Sequence, residues 1–111
     1  KKKNIEVHVR SVFLQGLLLK KINSIPKKFY KFKKDLIKLE NYSKKNKISK
    51  LEICTNFVFS KNYIDKIVIG VEKKENLEEI LKINYKYKIK NIPNFKISNK
   101  KLIDPRSWKL L

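Results

Sequence analysis

The amino-acid sequence predicts an α/β fold in which two parallel strands are joined by a helical crossover. Residues 5–9 and 64–71 have the apolar patterns of strands, and residues 27–45 and 50–59 between them have helical patterns. A third helical pattern, residues 75–83, follows the second strand. This order is typical of a parallel sheet or barrel. Because two strands do not close a sheet, we expect it to need further polypeptide, either an upstream part of a barrel or a partner.

The first predicted strand, residues 5–9, alternates apolar and polar side chains with the period of two that a strand requires. It is followed by Arg10 and Ser11, and then by an apolar run that Gln15 and Gly16 interrupt. Polar residues and a glycine at the end of a strand allow the backbone to approach a ligand closely. This loop is therefore a candidate binding segment.

The two crossover helices are predicted by different signals. Pro26 suits the first turn of a helix, because its fixed φ matches the helical value. Apolar residues then recur at helical spacing at Phe29, Phe32, Leu36 and Leu39. Residues 50–59 fit a strand by propensity and a helix by spacing. Ser49 and Glu52 have the spacing of a capping box, which favours the helix.

The second predicted strand has a continuous apolar run, Ile67 to Ile69, as expected for a parallel strand covered on both faces. The helix that follows carries acidic residues in or near its first turns, where the helix dipole favours them. Beyond Tyr85 we expect a surface arm. Its predicted packing residues are Ile92, Phe95, Leu102 and Trp108.

The formal net charge of +19 raises nucleic acid as a partner. All 29 basic residues except Arg10 and Arg106 are lysine, however, and they are scattered along the chain. Proteins that read nucleic-acid sequence favour arginine, whose planar fork pairs with guanine and phosphate. We therefore interpret most of the charge as solvated surface. A small basic nucleic-acid-binding module is the alternative function.

The remaining composition limits the class of protein. The single cysteine, Cys54, excludes an internal disulfide framework and a metal site of several thiolates. We interpret it as a buried apolar side chain, and His8 as a packed or surface residue. No segment approaches the roughly twenty apolar residues that span a bilayer. A cytoplasmic location without membrane contact is the expectation.

Two blocks of the sequence resemble the aldo/keto reductase family. Residues 10–18, which follow a strand, are similar to the family's strand-seven loop, usually an aromatic, Ser-Pro-Leu, two variable residues, Gly and Leu-Leu. Residues 67–70 and 75–79 resemble strand eight, its glycine and the next helix. With residues 104–108 these blocks cover essentially the whole chain. The resemblance implies that residues 1–111 are the carboxy-terminal segment of one TIM (β/α)8 barrel domain, whose binding site lies at the carboxyl ends of the strands.

The resemblance also implies NADP or NAD as the cofactor and hydride transfer to an aldehyde or ketone as the reaction. Arg10 matches a residue that stacks on the nicotinamide, usually an aromatic. Ser11 and Phe13 match positions that contact the pyrophosphate. Val12 stands where the family usually has proline.

The second block implies further cofactor contacts. Gly70 matches the glycine that lets the backbone approach the adenosine phosphate. Asn76 and Glu79 match residues that flank adenine and its amino group. Glu72 stands where a Ser or Arg often lies near the ribose phosphate, and Ile80 replaces the usual Asn. NADP and NAD both stay open.

No catalytic residue is assigned. In the family a Tyr donates the proton, and Asp, Lys and His orient it, all on earlier strands. None of the five tyrosines of this chain matches that residue. The resemblance therefore implies that this chain contributes cofactor-binding loops, that a missing amino-terminal barrel portion is its partner, and that it is inactive and weakly folded alone. A third interpretation is an inactive remnant of a reductase.

Overall fold

The computed structural model describes residues 4–71, 73–83 and 103–110. In chain order its strands and α-helices are β1 (His8–Val9), α1 (Lys33–Asn46), α2 (Lys50–Phe59), β2 (Lys66–Ile67) and α3 (Lys74–Lys82). Short 3₁₀ helices span Leu17–Leu19, Ile22–Ser24, Lys27–Phe32 and Pro105–Leu110. This order confirms the predicted alternation of strands and helices. No helix among the described residues is long and apolar enough to cross a membrane.

β1 and β2 form a two-stranded parallel sheet, as predicted. The paired residues are His8 with Lys66 and Val9 with Ile67. The Val9 carbonyl oxygen also accepts a hydrogen bond from the Val68 amide at 2.8 Å. Each strand has only two residues and is shorter than the segments 5–9 and 64–71 predicted for it. Neither strand has a second neighbour among the described residues, so few ladder hydrogen bonds hold the extended backbone.

The apolar faces of the strand segments are incompletely covered. Val68 is 56% exposed and Ile5 is 59% exposed, whereas Ile67 and Ile69 are half-buried. The residues that the structure describes therefore cover this strand segment only in part, and coverage on both faces stays a prediction for a completed sheet or barrel. The described helices bury their apolar side chains mainly against one another and the loop after β1, which leaves the strands partly open.

The helix predicted over residues 27–45 is present, but its first turns are 3₁₀ and the α-helix begins at Lys33. It ends at Asn46, and the cap residue Lys47 has a left-handed φ of 54°. Its apolar stripe packs into a first core cluster made of Leu17, Ile25, Phe29, Phe32 and Leu36.

The carboxy-terminal segment packs against this first cluster. The Trp108 ring meets the Phe29 ring edge to face, with centroids 4.7 Å apart and an interplanar angle of 73°. Such a geometry is favourable for aromatic pairs beyond the area that it buries. Trp108 is thus confirmed as a packing residue of the tail. The other predicted packing residues, Ile92, Phe95 and Leu102, lie outside the described residues.

A second core cluster joins α1 to α2 through Leu39, Ile53 and Cys54. Ile53 is 1% exposed. The Ser49 side chain accepts a hydrogen bond from the Glu52 amide at 3.1 Å, which confirms the predicted N-cap and the helix over 50–59. Burial raises the pKa of the Cys54 thiol to about 12. The thiol therefore stays protonated at neutral pH, in agreement with its interpretation as a buried apolar side chain.

Candidate functional site

The carboxyl ends of the two parallel strands lie at one edge of the sheet. Arg10 follows β1 directly, and Gly70 comes three residues after β2. Both are exposed. A Cβ atom placed on Gly70 would meet no described atom within 4 Å, so the described residues leave the space beside this backbone open. The predicted strand-end position of these two residues is therefore confirmed, and the edge has room for a ligand.

The loop after β1 has an unusual backbone. Ser11, Leu14 and Gln15 have φ values of 60°, 48° and 56°, and Gly16 has 82°. The left-handed region costs a bulky residue such as Leu about 1 kcal/mol or more. The turn is held by hydrogen bonds from the Leu14 amide to the Ser11 carbonyl and from the Leu17 amide to the Leu14 carbonyl, each 3.1 Å. Such strain is common in loops that bind ligands.

This loop presents unused donors. No described residue accepts a hydrogen bond from the Ser11 hydroxyl or from the backbone amides of Gln15 and Gly16. Phe13 is half-buried against the second core cluster, and its carbonyl oxygen accepts from the Leu18 amide at 3.2 Å. The side chain of Phe13 thus anchors the loop. An anionic ligand would meet the hydroxyl and the amides rather than the phenyl ring.

A cavity of about 770 Å³ lies between the segment 19–23, α1, the first turn of α2 and α3. Asn76 and Glu79 line it from α3. Two of the six predicted site residues therefore share this cavity, whereas Arg10, Ser11, Phe13 and Gly70 belong to the strand ends.

Lysine is the commonest side chain along the cavity wall. The lining lysines are Lys21, Lys33, Lys44 and Lys50, against the two carboxylates Glu40 and Glu79. Glu40 is already paired with two of the lysines. No described carboxylate pairs with the other two, so the cavity has an excess of positive charge that favours an anionic ligand.

Lys50 and Glu40 brace one wall of the cavity. The Lys50 ammonium, with 12% of its side chain exposed, donates to the Lys20 carbonyl at 2.6 Å and to the Glu40 carboxylate at 3.0 Å. The Glu40 carboxylate also accepts from the Ile22 amide at 3.3 Å. The pair therefore fixes the segment around residues 20–22 against α1 and α2.

The charge state of Glu40 follows from these contacts. Partial burial raises the pKa of Glu40, but the hydrogen bonds from Lys50 and from the Ile22 amide lower it more. The net pKa lies below the ordinary carboxyl value. Glu40 is therefore ionised at neutral pH and remains a partner for Lys50.

Sequence reasoning missed the bracing pair and one contact of Glu79. The Ser49 hydroxyl donates to a Glu79 carboxylate oxygen at 2.7 Å, although Ser49 was predicted only as a helix cap. Lys50 and Glu40 carry no distinguishing signal, because lysine and glutamate also occupy many solvated positions. The pairing of residues ten positions apart, on different helices, depends on the fold.

The charge of Arg10 acts on a residue of the tail that the sequence did not connect with it. Asp104 forms a two-pronged ion pair with Arg106, whose guanidinium hydrogen bonds lower the pKa of Asp104 most. The Arg10 charge lowers it further. The described tail therefore brings the ion pair of Asp104 and Arg106 within electrostatic range of Arg10 at the strand end.

The described residues contain no group of three or more His, Cys, Asp or Glu side chains that could hold a metal ion. His8 lies exposed on β1, in contact with the carboxylate of Glu6. This agrees with the surface position, which was one of the two positions predicted for it.

The chain matches the family model described as the Aldo/keto reductase family over residues 1–99. This range includes both sequence blocks and all six predicted site residues. Comparisons with curated proteins and with solved structures gave no match.

Proposed function

Since the chain belongs to the aldo/keto reductase family, we propose that it is part of an NADPH- or NADH-dependent oxidoreductase that reduces an aldehyde or ketone. In this proposal the chain is the carboxy-terminal segment of a TIM barrel and contributes cofactor contacts. The bound nicotinamide would supply the hydride. The proton donor and its partners would lie on the amino-terminal barrel portion, which makes this segment inactive alone.

The observation that carries the proposal is the cavity that Asn76 and Glu79 border. Its volume of about 770 Å³ lies within the range of roughly 300–1,000 Å³ that is usual for ligand sites. Glu79 offers a carboxylate acceptor for the amino group of an adenine, and Asn76 offers an amide that both donates and accepts. The excess of lysine around these two residues suits a phosphorylated nucleoside.

The strand-end loop supplies what a pyrophosphate needs. In the proposed complex, the Ser11 hydroxyl and the loop amides of Gln15 and Gly16 donate to phosphate oxygens. The open space beside Gly70 admits a phosphate close to the backbone. Arg10 lies beside the nicotinamide, within electrostatic range of the ion pair of Asp104 and Arg106.

The exposed strand faces support the barrel part of the proposal. Val68, directly after β2, is 56% exposed although it belongs to an apolar run, and Leu81 on α3 is 74% exposed. Apolar side chains at such positions become buried when further strands and helices complete a barrel. The same surface explains why we expect the chain to be weakly folded without them.

The cofactor site is tested by titrating the 111-residue chain with NADP⁺ and NAD⁺ at about 0.15 M salt, where generic charge attraction is screened. We expect saturable binding of at least one of them. Asn76→Ala and Glu79→Ala should each weaken it by about five- to twentyfold, because each removes one or two polar contacts. Glu78→Ala is the matched control, since it removes the same charge from an exposed position that does not line the cavity.

Equal affinity in all three variants, or no binding at this salt concentration, would contradict the proposal. Tight binding of RNA or DNA that persists at physiological salt would instead favour a nucleic-acid-binding module. Carbonyl-dependent oxidation of NADPH by the 111-residue chain would show that the catalytic groups do not lie elsewhere.

A further inference from the structure

One hydroxyl group links the first turn of α2 to the opposite wall of the cavity. The Ser49 Oγ atom accepts a hydrogen bond from the Glu52 amide at 3.1 Å and donates one to Glu79 Oε1 at 2.7 Å. A serine hydroxyl has one proton to donate and lone pairs to accept with. Both roles are therefore satisfied at the same time, and the helix cap fixes the direction in which the hydroxyl reaches Glu79.

The contact restrains a side chain that is otherwise free to move. Glu79 is exposed on α3, and no other described residue bonds to its carboxylate. A glutamate in solvent loses considerable rotamer freedom when it is ordered. Because Ser49 engages Oε1, it orders the carboxylate before a ligand arrives and leaves Oε2 able to accept a hydrogen bond.

We infer that Ser49 is a positioning residue that sets the base preference of the cavity by holding the Glu79 carboxylate for the amino group of an adenine. This inference rests on the proposed function. Ser49 itself does not contact the ligand in this account. It acts through Glu79, so its effect should appear in the choice between bases rather than in affinity for phosphate.

The test compares two ligands that differ only at the base. The 111-residue chain is titrated with whichever of NADP⁺ and NAD⁺ it binds, and with the hypoxanthine analogue of that ligand, in which an oxygen replaces the amino group. A hydrogen bond to a charged acceptor predicts a preference of about tenfold for adenine. Ser49→Gly should reduce this preference to about threefold or less, whereas Ser49→Thr keeps the hydroxyl and should retain it.

Two features separate positioning from folding. Glycine is a good N-cap, so Ser49→Gly should leave the chain nearly as stable as before. Ser49→Asp is a second variant that caps well but has no proton for Glu79, and it should also lose the preference. Because both ligands bind the same folded fraction, the ratio of their affinities does not change when part of the sample unfolds.

The double variant Ser49→Gly/Glu79→Ala completes the test. If Ser49 acts through Glu79, the preference in the double variant equals that of Glu79→Ala alone. A full preference in both Ser49→Gly and Ser49→Asp would overturn the inference while leaving the proposed function intact. Absence of binding or of any preference in the unsubstituted chain would count against the adenine contact itself, and with it the inference.

Discussion

The helical region and the strand region of this molecule bury their apolar residues to very different extents. In the helical region, the two core clusters contain side chains such as Ile53, which is 1% exposed. In the strand region, Val68 is 56% exposed and the sheet has two strands of two residues each. Stability should therefore come almost entirely from the helices. The strand ends carry candidate ligand contacts, but little buried apolar surface holds these strand ends in place.

This difference indicates which region of the chain depends on further polypeptide for its stability. A helix satisfies its own backbone hydrogen bonds, so α1 and α2 need only each other and the loop after β1. A strand satisfies them through its neighbours, and each strand here has one neighbour among the described residues. Substitutions in the two regions should thus differ in a graded and measurable way.

The largest effect is expected in the second core cluster. Ile53→Ala leaves a cavity between α1 and α2, and we expect it to lower the free energy of unfolding by about 3 kcal/mol, which would remove most of the stability of a weakly folded chain. Urea denaturation followed by circular dichroism measures the change. Leu81→Ala, at a position 74% exposed, should change it by less than about 0.5 kcal/mol. Equal losses from the two substitutions would show that the second core cluster contributes no more to stability than an exposed position on α3.

The next effect concerns the brace along the cavity. Lys50→Met removes the ammonium that the Lys20 carbonyl and Glu40 share, leaving a partly buried carboxylate without its main partner. We expect a loss of about 2 kcal/mol. Lys44→Met is the matched control, because its side chain is 76% exposed and its contact with Glu40 is longer, at 3.7 Å. A control loss as large as that of Lys50→Met would mean that net charge, rather than the brace, determines the effect.

A smaller effect should appear in the pH dependence of stability. The pKa of Glu40 is lowered in the folded chain, so its contribution is fully present above the ordinary carboxyl value and is lost as the pH falls through the folded value. Thermal melts between pH 7 and pH 3 should show a smaller acid loss in Glu40→Gln than in the unsubstituted chain. The lowered carboxyls of Glu6 and Asp104 contribute equally to both. The same dependence of stability on pH in both chains would argue against the ion pair of Glu40 and Lys50.

The smallest effect is expected directly after strand β2. Val68→Thr replaces a half-exposed apolar side chain by one of similar shape, and we expect a change below about 0.5 kcal/mol in the 111-residue chain. Denaturation under the same conditions as for Ile53→Ala measures it. A loss above 1 kcal/mol would show that this face is already packed. In a complete barrel the same substitution should cost more, because the hydroxyl would then be buried.

The sequence predicted the helical region better than the strand region, for physical reasons. The bounds of α2 match the prediction of 50–59, because the cap at Ser49 and the apolar spacing are both local signals. The helix predicted over 75–83 appears one residue earlier, as Lys74–Lys82. Strand length depends on pairing with distant segments, so the run 64–71 gave the position of β2 but not its short extent.

The candidate site combines residues that were predicted with contacts that were not. Its strand-end residues and the α3 positions Asn76 and Glu79 were predicted from a family resemblance. The bond between Ser49 and Glu79 joins residues thirty positions apart, and the brace joins α1 to α2. Such contacts depend on how the helices pack. The sequence alone does not show which of its many lysines forms one of them.

The buried thiol of Cys54 has a practical consequence. The chain has one cysteine and no methionine, so this atom is its only sulfur. A thiol reagent needs the thiolate and physical access, and both are denied while α1 and α2 stay together. The rate at which a reagent modifies Cys54 would therefore report how often α1 and α2 separate. This thiol is thus a built-in probe of local unfolding in the most stable region.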